Sequence, residues 1–467
     1  FYAQDLSLKT VFLTAKDKIC PMEERRCDEC PYADNYYGRV RPVLYRLLTE
    51  CQELDADTFS RYGEEASLCP FELSLDASLY ASLIVCDYNY VFDPAVYLRR
   101  FFEEKGSYVF LIDEAHNLVD RAREMYSADL WQEELCELRR LIKTDADALR
   151  AALRPLDRAL KRLSDECEGA LHSRKAPMDD LSLQLNRLID ECDLWLQTHP
   201  QEEHRDAILE IYFHLVSCRR IFELYDDDFI TWYENDAARG FHLRLYCLLA
   251  VLGVVLFVHA GSVLFAALAA LYLFLTIRLD DACILDFLRK AAVYFSATLS
   301  PSLYYATLLG EQEKAKRIAL PSIFSTDQYA LIIHEGISTR WQHRAASALQ
   351  IVNAIYHSVI PKPGNYIVFF PSYRYMETCA ELFRRHYPAI PLHVQGAAMT
   401  PQERQAFLER FETFGEMQLH FCVLGGMFAE GIDFSGERLI GTIIIGVGLP
   451  MINPESDFVK DHFDAQG

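Results

Sequence analysis

The last third of the chain alternates between short apolar segments and amphipathic segments, and this alternation restricts the fold more than any other feature. The apolar segments have the composition of buried strands, whereas the amphipathic segments carry apolar residues at helical spacing. Alternation of this kind predicts βαβ units and a parallel sheet. The predicted strands are Tyr366–Phe370, Pro391–Val394, Leu419–Leu424 and Leu439–Ile445, and the predicted helices are Tyr373–His386 and Pro401–Phe411.

Three further apolar segments in the N-terminal part predict a second α/β lobe. They are Thr10–Ala15, Leu83–Cys86 and Tyr108–Ile112. The last two end in polar residues, and the C-terminal ends of strands are where open α/β sheets bind ligands. Residues 117–240 show leucines at helical spacing instead. We therefore expect an α/β protein whose two parallel-sheet lobes flank a helical insertion.

Composition and charge exclude several classes of protein. The 467 residues are 51% hydrophobic, which excludes an intrinsically disordered chain. The net charge of −22 excludes a polycation that coats nucleic acid, but it allows a local basic track. The 14 cysteines are too dilute for a disulfide scaffold, and residues 1–18 lack the pattern of a secretory signal. We expect a cytoplasmic, reducing compartment, in which grouped cysteines bind metal.

An Asp-Glu-Ala-His sequence directly follows the predicted strand that ends at Ile112. Asp113 and Glu114 place two adjacent carboxylates at the end of that strand. One carboxylate can hold Mg²⁺ through water, and the second can orient or deprotonate the water that attacks a nucleotide phosphate. An acidic pair can also serve only as a helix N-terminus, where it complements the helix dipole. The complete four-residue sequence favours nucleotide hydrolysis.

Four cysteines, three of them followed by proline, form the candidate metal site. Cys20, Cys27, Cys30 and Cys69 have the spacing C-x6-C-x2-C-x38-C. Four thiolates can hold a 4Fe-4S cluster or a structural Zn²⁺, and the spacing alone does not separate the two. A site without metal is the third alternative. Cys51 lies in a segment of helical spacing, 47–54, and is predicted to be a buried thiol.

Together these sequences resemble the motifs of the superfamily-two DNA helicases with an iron–sulfur domain, the XPD/DinG group, and most closely its bacterial DinG-like branch. The DEAH sequence and the cysteine insert stand in the order of that group, and the resemblance spans most of the chain. Residues 11–16 are similar to motif Ia, 85–90 to the segment before the DEAH box, 295–301 to motif III, 368–373 to motif IV and 425–433 to motif V.

The resemblance implies two RecA-like lobes and assigns parts of the chain to them. Residues 1–116 would form the first lobe, with an iron–sulfur insertion at 20–69. Residues 117–240 would form a helical, arch-like domain. Residues 241–320 would return to the first lobe, and 321–467 would form a truncated second lobe.

The resemblance also implies an activity and a role for each motif. The parent protein would hydrolyse ATP, bind single-stranded or forked DNA, and move along it 5′ to 3′ in repair or replication. Asp113 would position Mg²⁺, Glu114 would position the attacking water, and His116 would link the nucleotide site to the motor interface. The cysteine quartet would hold a cluster that shapes the strand-separating wedge. The residues expected to couple nucleotide to DNA are Thr14, Lys16, Ser296, Thr298, Ser372, Gly425, Glu430, Gly431 and Asp433.

Two motifs of the group are missing from the sequence. It contains neither a phosphate-binding loop, G-x-x-x-x-G-K-S/T, nor the arginines of motif VI, Q-x-x-G-R-x-x-R. Without the backbone cradle, its lysine and an arginine finger, the transition state of phosphoryl transfer is not stabilised. We therefore expect a fragment that does not hydrolyse ATP by itself. A non-catalytic nucleic-acid-binding module and a zinc-stabilised scaffold for a partner protein are the alternatives.

A long apolar stretch departs from the pattern of the group. Leu245–Ile277 contains 33 residues without Asp, Glu, Lys or Arg. This exceeds the ~18 residues that a membrane span needs. A single crossing would, however, separate the DEAH strand from the motif III strand, which belong to one sheet in this group. We expect an insertion that is buried or poorly ordered, with a membrane or partner contact and an anomalous sequence as alternatives; the oligomeric state stays open.

Overall fold

The strands of the N-terminal part form two parallel sheets in the computed structural model. In the first sheet, β1 (Thr10–Phe12) lies between β2 (Glu53–Leu54) and β3 (Leu83–Val85). In the second, β4 (Val109–Ile112) pairs with β9 (Ala291–Tyr294), which comes much later in the chain. The three strands predicted for this part are therefore confirmed. The structure describes residues 8–22, 27, 29–102, 108–142, 147–167, 171–176, 178–200, 202, 204–236, 239–248, 291–309, 316–321, 330–429, 432, 434–446 and 453–466.

Helices cover the first sheet and enclose one apolar core. Val11 and Leu54 from the strands pack with Leu47, Phe59 and Leu73 from the helices, and all five are fully buried. The helices of this part are α1 (Lys16–Ile19), α2 (Tyr36–Glu50), α3 (Ala56–Ala66), α4 (Pro70–Ser78), α5 (Asn89–Phe92) and α6 (Arg99–Phe102).

The prediction for Cys51 is wrong in two respects. The helix does not continue to Leu54, because Cys51 takes an extended conformation (φ −117°, ψ 140°) and ends α2 after Glu50. The chain then enters β2, where Leu54 is fully buried beside Val11. Cys51 itself is only partly buried, with its sulfur 3.6 Å from the Tyr62 hydroxyl.

The predicted helical insertion contains a four-stranded antiparallel sheet that the helical spacing did not indicate. The sheet has the strand order β5-β8-β7-β6, and helices pack against it. Its long hairpin pairs Phe229 with Cys247, and β5 pairs with β8 so that Ala128 lies opposite Leu245. The elements are α7 (Ala115–Met125), β5 (Ala128–Trp131), α8 (Gln132–Leu141), α9 (Asp147–Glu166), β6 (His172–Arg174), α10 (Asp179–Thr198), α11 (Arg205–Leu224), β7 (Phe229–Asp236) and β8 (Gly240–Cys247).

The first residues of the apolar stretch belong to this sheet. Leu245, Cys247 and Leu248 are buried at the end of β8. Residues 249–290, which hold the rest of the stretch, lie outside the described residues. Within the ranges that the structure describes, no helix is both long and apolar enough to cross a membrane.

Residues 317–456 form a separate unit, whereas 1–316 and 457–467 belong together. The sheet of the second unit is parallel throughout, with the order β11-β12-β10-β13, as the alternating pattern predicts. Its elements are α13 (Arg344–Val359), β10 (Asn365–Phe370), α14 (Tyr373–His386), β11 (Leu392–Val394), α15 (Pro401–Glu409), β12 (Gln418–Val423) and β13 (Gly441–Ile444), with 3-10 turns at Trp341–His343, Arg410–Glu412 and Gly436–Arg438. A further helix, α12 (Ser302–Leu308), precedes this unit, and α16 (Pro454–Gln466) begins at its last three residues and continues beyond it.

A fully buried histidine makes the stability of the second unit sensitive to pH. His420 on β12 stacks on Phe411 with ring centroids 3.8 Å apart, and neither ring nitrogen has a hydrogen-bond partner among the described residues. Burial, helped by nearby His393 and Arg410, lowers the pKa of His420 from 6.5 to about 3. The neutral ring is therefore the form that the folded protein holds.

Acidification is expected to destabilise this unit through His420. Below pH ~6.5 the unfolded chain binds a proton that the folded chain does not, so stability falls with pH by about 1.4 kcal/mol per unit. The loss continues down to the folded pKa of about 3. Urea unfolding at pH 6.5, 5.5 and 4.5, followed by circular dichroism, should show a smaller pH slope for His420→Leu than for the wild type. His357→Gln on α13 is the control, and an unchanged slope in His420→Leu would contradict this assignment.

Candidate functional site

The pairing of β4 with β9 brings the DEAH sequence to the residues of motif III. Leu111 lies opposite Val293 and Ile112 opposite Tyr294, so both strands end at the same edge of the sheet. The Phe295 amide donates to the Ile112 carbonyl at 3.0 Å, and the Ala115 amide donates to the Phe295 carbonyl at 3.1 Å. Polar residues that are 180 positions apart in sequence thereby become neighbours.

Four side chains meet there in one hydrogen-bond network. The Ser296 hydroxyl donates to Oε2 of Glu114 at 3.0 Å. Since this uses the only hydroxyl proton, the Ser296 oxygen accepts from Nδ1 of His116 at 2.8 Å. The Thr298 hydroxyl lies 3.2 Å from the same His116 nitrogen, and the Thr298 amide donates to Ser296 at 3.1 Å. Glu114 is therefore held from the neighbouring strand.

The backbone at the DEAH turn has an unusual conformation. Glu114 lies in the left-handed region, with φ 46° and ψ 42°, which a residue with a side chain rarely adopts. Asp113 stabilises the turn, because its Oδ1 accepts from the Glu114 amide at 2.8 Å. Both carboxylates are exposed at the sheet edge. Exposed carboxylate oxygens at the end of a strand are suitable for Mg²⁺ and for an attacking water.

A tyrosine that the sequence pattern did not single out supports this turn. The Tyr88 hydroxyl donates to the backbone carbonyls of Asp113 and Glu114, the second at 3.1 Å. Burial raises the pKa of Tyr88, and the charges of Asp113 and Glu114 raise it further, so the hydroxyl keeps its proton. The only indication in the sequence is the position of Tyr88 after a strand that ends in an acidic residue.

The second unit holds the residues expected from motifs IV and V. Ser372 begins α14 by accepting from the Tyr375 amide at 3.4 Å. Gly425 follows β12 with φ +71°, a conformation that favours glycine, and an added Cβ there would meet nothing within 4 Å. Glu430, Gly431 and Asp433 lie outside the described residues.

Gln395 is a further residue at this end of the sheet that the motifs did not reveal. It is buried, its Oε1 accepts from the Val423 amide at 3.0 Å, and its Nε2 donates to the Tyr373 hydroxyl at 2.9 Å. This side chain thereby joins the start of α14 to the end of β12, two residues before Gly425.

The cysteine quartet is gathered around α1 and the start of α4. The Cys20 amide donates to the Lys16 carbonyl at 3.0 Å, and Nζ of Lys16 donates to the Cys27 sulfur at 2.8 Å. The Cys69 amide donates at 3.0 Å to the carbonyl of Tyr32, two residues after Cys30. Lys16, expected at the nucleotide–DNA coupling site, therefore contacts the cysteine site, whereas Thr14 lies between β1 and α1.

Burial and the neighbouring polar groups have opposite effects on the pKa of a thiol in the quartet, that of Cys69. Burial raises the pKa of Cys69, against the effect of the backbone amides at the start of α4 and of Lys16. The contact with Cys27 raises the pKa of Lys16 and keeps it a cation. Such a neighbour favours thiolates, the form that binds metal. In the described part of the chain, no three His, Cys, Asp or Glu side chains are yet arranged around one metal position.

The chain matches known helicase families at both ends. Residues 5–135 match the family described as DEAD_2, and 355–467 match the family described as the helicase C-terminal domain. A relative from Saccharomyces cerevisiae, the general transcription and DNA repair factor IIH helicase subunit XPD/RAD3, is 24% identical over 96% of this chain. The ATP-dependent DNA helicase CHL1 of Kluyveromyces lactis is 20% identical over 94% of it.

The two matched domains and these relatives support an XPD/DinG-type superfamily-two helicase. It spans 64% of the yeast relative and 55% of the Kluyveromyces relative. The alignment with a solved structure described as an XPD helicase covers 98% of this chain and 75% of the chain in that structure. The TM-score is 0.53 and the sequence identity is 16%. This likeness confirms the predicted α/β fold with RecA-like lobes. The bacterial DinG-like branch stays a prediction.

The donor set of the quartet fits a thiolate-bound metal. Cys27 and Cys69, from the two segments that carry the quartet, lie near the ammonium group of Lys16. Soft thiolates bind iron–sulfur clusters or Zn²⁺. The geometry, like the spacing of the cysteines, does not distinguish an iron–sulfur cluster from Zn²⁺.

Proposed function

We propose that the protein carrying this chain is an ATP-dependent DNA helicase that moves 5′ to 3′ along single-stranded DNA in repair or replication. The observation that carries the proposal is the contact of Ser296 with the Glu114 carboxylate, at 3.0 Å. This contact connects Glu114, which is suited to the hydrolysis step, with the motif III segment that carries Ser296. A change at Glu114 can therefore alter the hydrogen bonds of that segment. The names of the helicases from Saccharomyces and Kluyveromyces support the same activity.

In this mechanism Glu114 is the general base. Its carboxylate orients the attacking water and takes up one of its protons as the water oxygen bonds to the γ-phosphorus. The bond from that phosphorus to the β–γ bridging oxygen breaks in the same step, and ADP leaves with the electron pair. Ser296 fixes the direction of that carboxylate, while Asp113 would hold Mg²⁺ through water. The metal, when bound with ATP, neutralises charge on the phosphates.

The network around Glu114 couples hydrolysis to movement. A change in the charge or position of Glu114 alters the hydrogen bond from Ser296, and with it the contacts of His116 and Thr298. These residues would thereby report the nucleotide state to the DNA-bound part of the motor. The second-unit residues proposed to contact nucleotide or DNA are Ser372, Gly425, Glu430, Gly431 and Asp433.

We further propose that Cys20, Cys27, Cys30 and Cys69 hold a 4Fe-4S cluster. When bound, the cluster cross-links the segments that carry the four cysteines and so stiffens the insertion. Lys16, whose ammonium contacts Cys27, offsets part of the negative charge of the thiolates. Forked and single-stranded DNA are the proposed partners, and the cytoplasm is the proposed compartment.

The activity is tested with the protein expressed from its full reading frame. A duplex with a 5′ single-stranded tail and a matched duplex with a 3′ tail are incubated with ATP and Mg²⁺. We expect strand separation of the 5′-tailed duplex only. Binding of both duplexes without ATP hydrolysis would instead favour the non-catalytic nucleic-acid-binding module.

Removing the Tyr88 hydroxyl is expected to slow ATP hydrolysis without weakening ATP binding. In Tyr88→Phe the carbonyls of Asp113 and Glu114 lose their shared donor, and Glu114 is less well aimed. Small misplacements of catalytic groups are costly, so we expect a decrease in kcat of about tenfold with KM for ATP unchanged. Tyr90→Phe, in the short helix α5 that directly follows Tyr88, is the matched control. Equal kcat values in the two variants would show that Tyr88 is not a positioning residue.

A further inference from the structure

Gln395 directly follows β11, at the edge of the second unit's sheet where the neighbouring strands also end. Strand β12 ends at Val423 and β10 ends at Phe370, and the three strands run parallel. The Gln395 amide donates to the Phe421 carbonyl at 2.9 Å, which extends the pairing of β11 with β12. The C-terminal edge of a parallel sheet is where open α/β proteins bind ligands. Gln395 lies at this edge, yet it is only 2% exposed.

The carboxamide of Gln395 has its orientation determined by its two partners. The Val423 amide can only donate, so the atom that it meets at 3.0 Å is Oε1. Nε2 then donates to the Tyr373 hydroxyl at 2.9 Å. One end of the carboxamide therefore bonds to the last residue of β12, and the other end bonds to the first residue of α14. Within the described ranges of the second unit, no other side chain makes hydrogen bonds to both segments.

The turn that follows β12 packs against the same carboxamide. Gly425 is exposed in this turn, and the Gly426 amide donates to the Val423 carbonyl at 3.0 Å. A Cβ added to Gly426 would lie 2.8 Å from Nε2 of Gln395 and 3.0 Å from the Val423 carbonyl oxygen. A side chain at position 426 would therefore push the carboxamide away from its hydrogen-bond partners. Gln395 fixes this turn by a hydrogen bond at one residue and by packing at another.

The burial of Gln395 means that it acts through its neighbours. Ser372 and Tyr373 are partly exposed at the start of α14, and Gly425 is exposed after β12, so these residues can meet a ligand at the edge of the sheet. Hydrogen bonds are strengthened in the low dielectric of a protein interior, and fully satisfied buried polar groups make their surroundings rigid. The two ligand-facing segments are therefore joined through one rigid side chain.

We propose that Gln395 is a positioning residue of the motor, which keeps the first turn of α14 and the Gly425–Gly426 turn in a fixed arrangement so that ATP hydrolysis stays coupled to strand separation. Without this joint the two segments shift independently, and some hydrolysis cycles then separate no base pairs. This inference rests on the proposed helicase function, and it adds to it a residue on which the efficiency of the motor depends.

The test measures ATP hydrolysis and strand separation in the same reaction, with the full-length protein and a duplex that has a 5′ single-stranded tail. Gln395→Met keeps the length of the side chain and removes both hydrogen bonds. A misplacement of ~1 Å can cost up to 10²-fold in function, so we expect about tenfold more ATP consumed per duplex separated. Unfolded molecules contribute to neither rate, so a loss of stability alone does not change this ratio.

Gln418→Met is the matched control for the loss of a buried carboxamide. Gln418 lies at the opposite end of β12, is 8% exposed, and bonds to Nε2 of His393 at 3.1 Å. Its substitution should leave the ATP consumed per duplex unchanged. An increase equal to that of Gln395→Met would overturn the proposal, because the position of the carboxamide at the ligand-binding edge would not matter.

Gln395→Glu is the conservative variant that should restore coupling. Its carboxylate can accept from the Val423 amide, and the Tyr373 hydroxyl can turn to donate to it, so both contacts survive. The ATP consumed per duplex should stay within about twofold of the wild type. Consumption as high as in Gln395→Met would overturn the proposal, since the two contacts would then not be the cause.

Gly426→Ala perturbs the joint while Gln395 is present, and it decides the proposal if Gln395→Met does not fold. The added methyl group displaces the carboxamide, so we expect a similar increase in ATP consumed per duplex. Gln395→Ala removes the carboxamide, so adding Gly426→Ala to it should cause little further increase. An unchanged ratio in Gly426→Ala, or single effects that multiply in the double variant, would overturn the proposal.

Failure of this inference is distinguishable from failure of the proposed function. Wild-type protein that separates strands with ATP, together with an equal ratio in Gln395→Met, overturns the inference alone. Wild-type protein that hydrolyses no ATP or separates no strands overturns the proposed function and this inference with it.

Discussion

Glu114→Gln in the full-length protein is expected to lower DNA-stimulated ATP hydrolysis by about a thousandfold while leaving ATP and DNA binding in place. The substitution keeps the size of the side chain and an oxygen that can accept from Ser296, but it removes the carboxylate that takes the proton from water. Loss of a general base costs about 10²–10⁴ in rate. The network at the end of β4 should survive, because Ser296 lies 3.0 Å from the side-chain oxygen that remains.

The comparison needs a control for a general loss of negative charge. Glu137→Gln removes an exposed carboxylate from α8 and should leave the rate unchanged. ATP hydrolysis is followed by phosphate release with saturating single-stranded DNA, and ATP binding by a fluorescent analogue. A rate for Glu114→Gln within threefold of the wild type would show that Glu114 is not the base. Weak ATP binding in the same variant would instead indicate a structural role.

The second large effect is expected at the cysteine site. Protein purified without oxygen should show a broad absorbance band near ~400 nm and about four irons per chain. Cys27→Ser should lose the band and nearly all the iron, because a cluster with three protein ligands and an exposed fourth position is readily lost. Cys27 is the most exposed cysteine of the quartet and is in contact with Lys16.

Cys51→Ser is the matched control for this measurement. Cys51 lies in the same insertion and contacts Tyr62 rather than the quartet, so its substitution should leave the iron content unchanged. Equal loss of iron from both variants would point to unfolding of the insertion. A colourless protein that contains zinc would contradict the cluster and favour the zinc-stabilised scaffold, although the fold would be unaffected.

Local patterns predicted the second unit well because its elements are short-range structures. The helix predicted at Tyr373–His386 has those bounds in the structure, since Ser372 caps its first turn and its apolar residues face the sheet. Strands β10 and β12 begin and end within two residues of the bounds predicted for them. Burial on both faces gives such strands continuous apolar sequence, which a local reading recognises.

The same reading missed strand β5 in residues 117–240 because that strand depends on a distant partner. Strand β5 is four residues long, and it is a strand because β8 lies beside it more than a hundred residues later. In the sequence, Leu245 is the first residue of a long apolar stretch. In the structure it is buried in β8 and pairs with Ala128 of β5. Pairing across such a distance leaves no local signal, so helical spacing nearby determined the prediction.

For the candidate site, the sequence by itself determined which residues we propose to carry the chemistry. Asp113, Glu114 and the four cysteines are recognisable from residue type and spacing, because a strand end and a set of thiols are local features. Only the tertiary structure decided the contacts that could make them work: Ser296 on Glu114, Tyr88 beneath the turn, and Lys16 at Cys27. Each of these contacts depends on how strands and helices pack, which spacing along the chain does not specify.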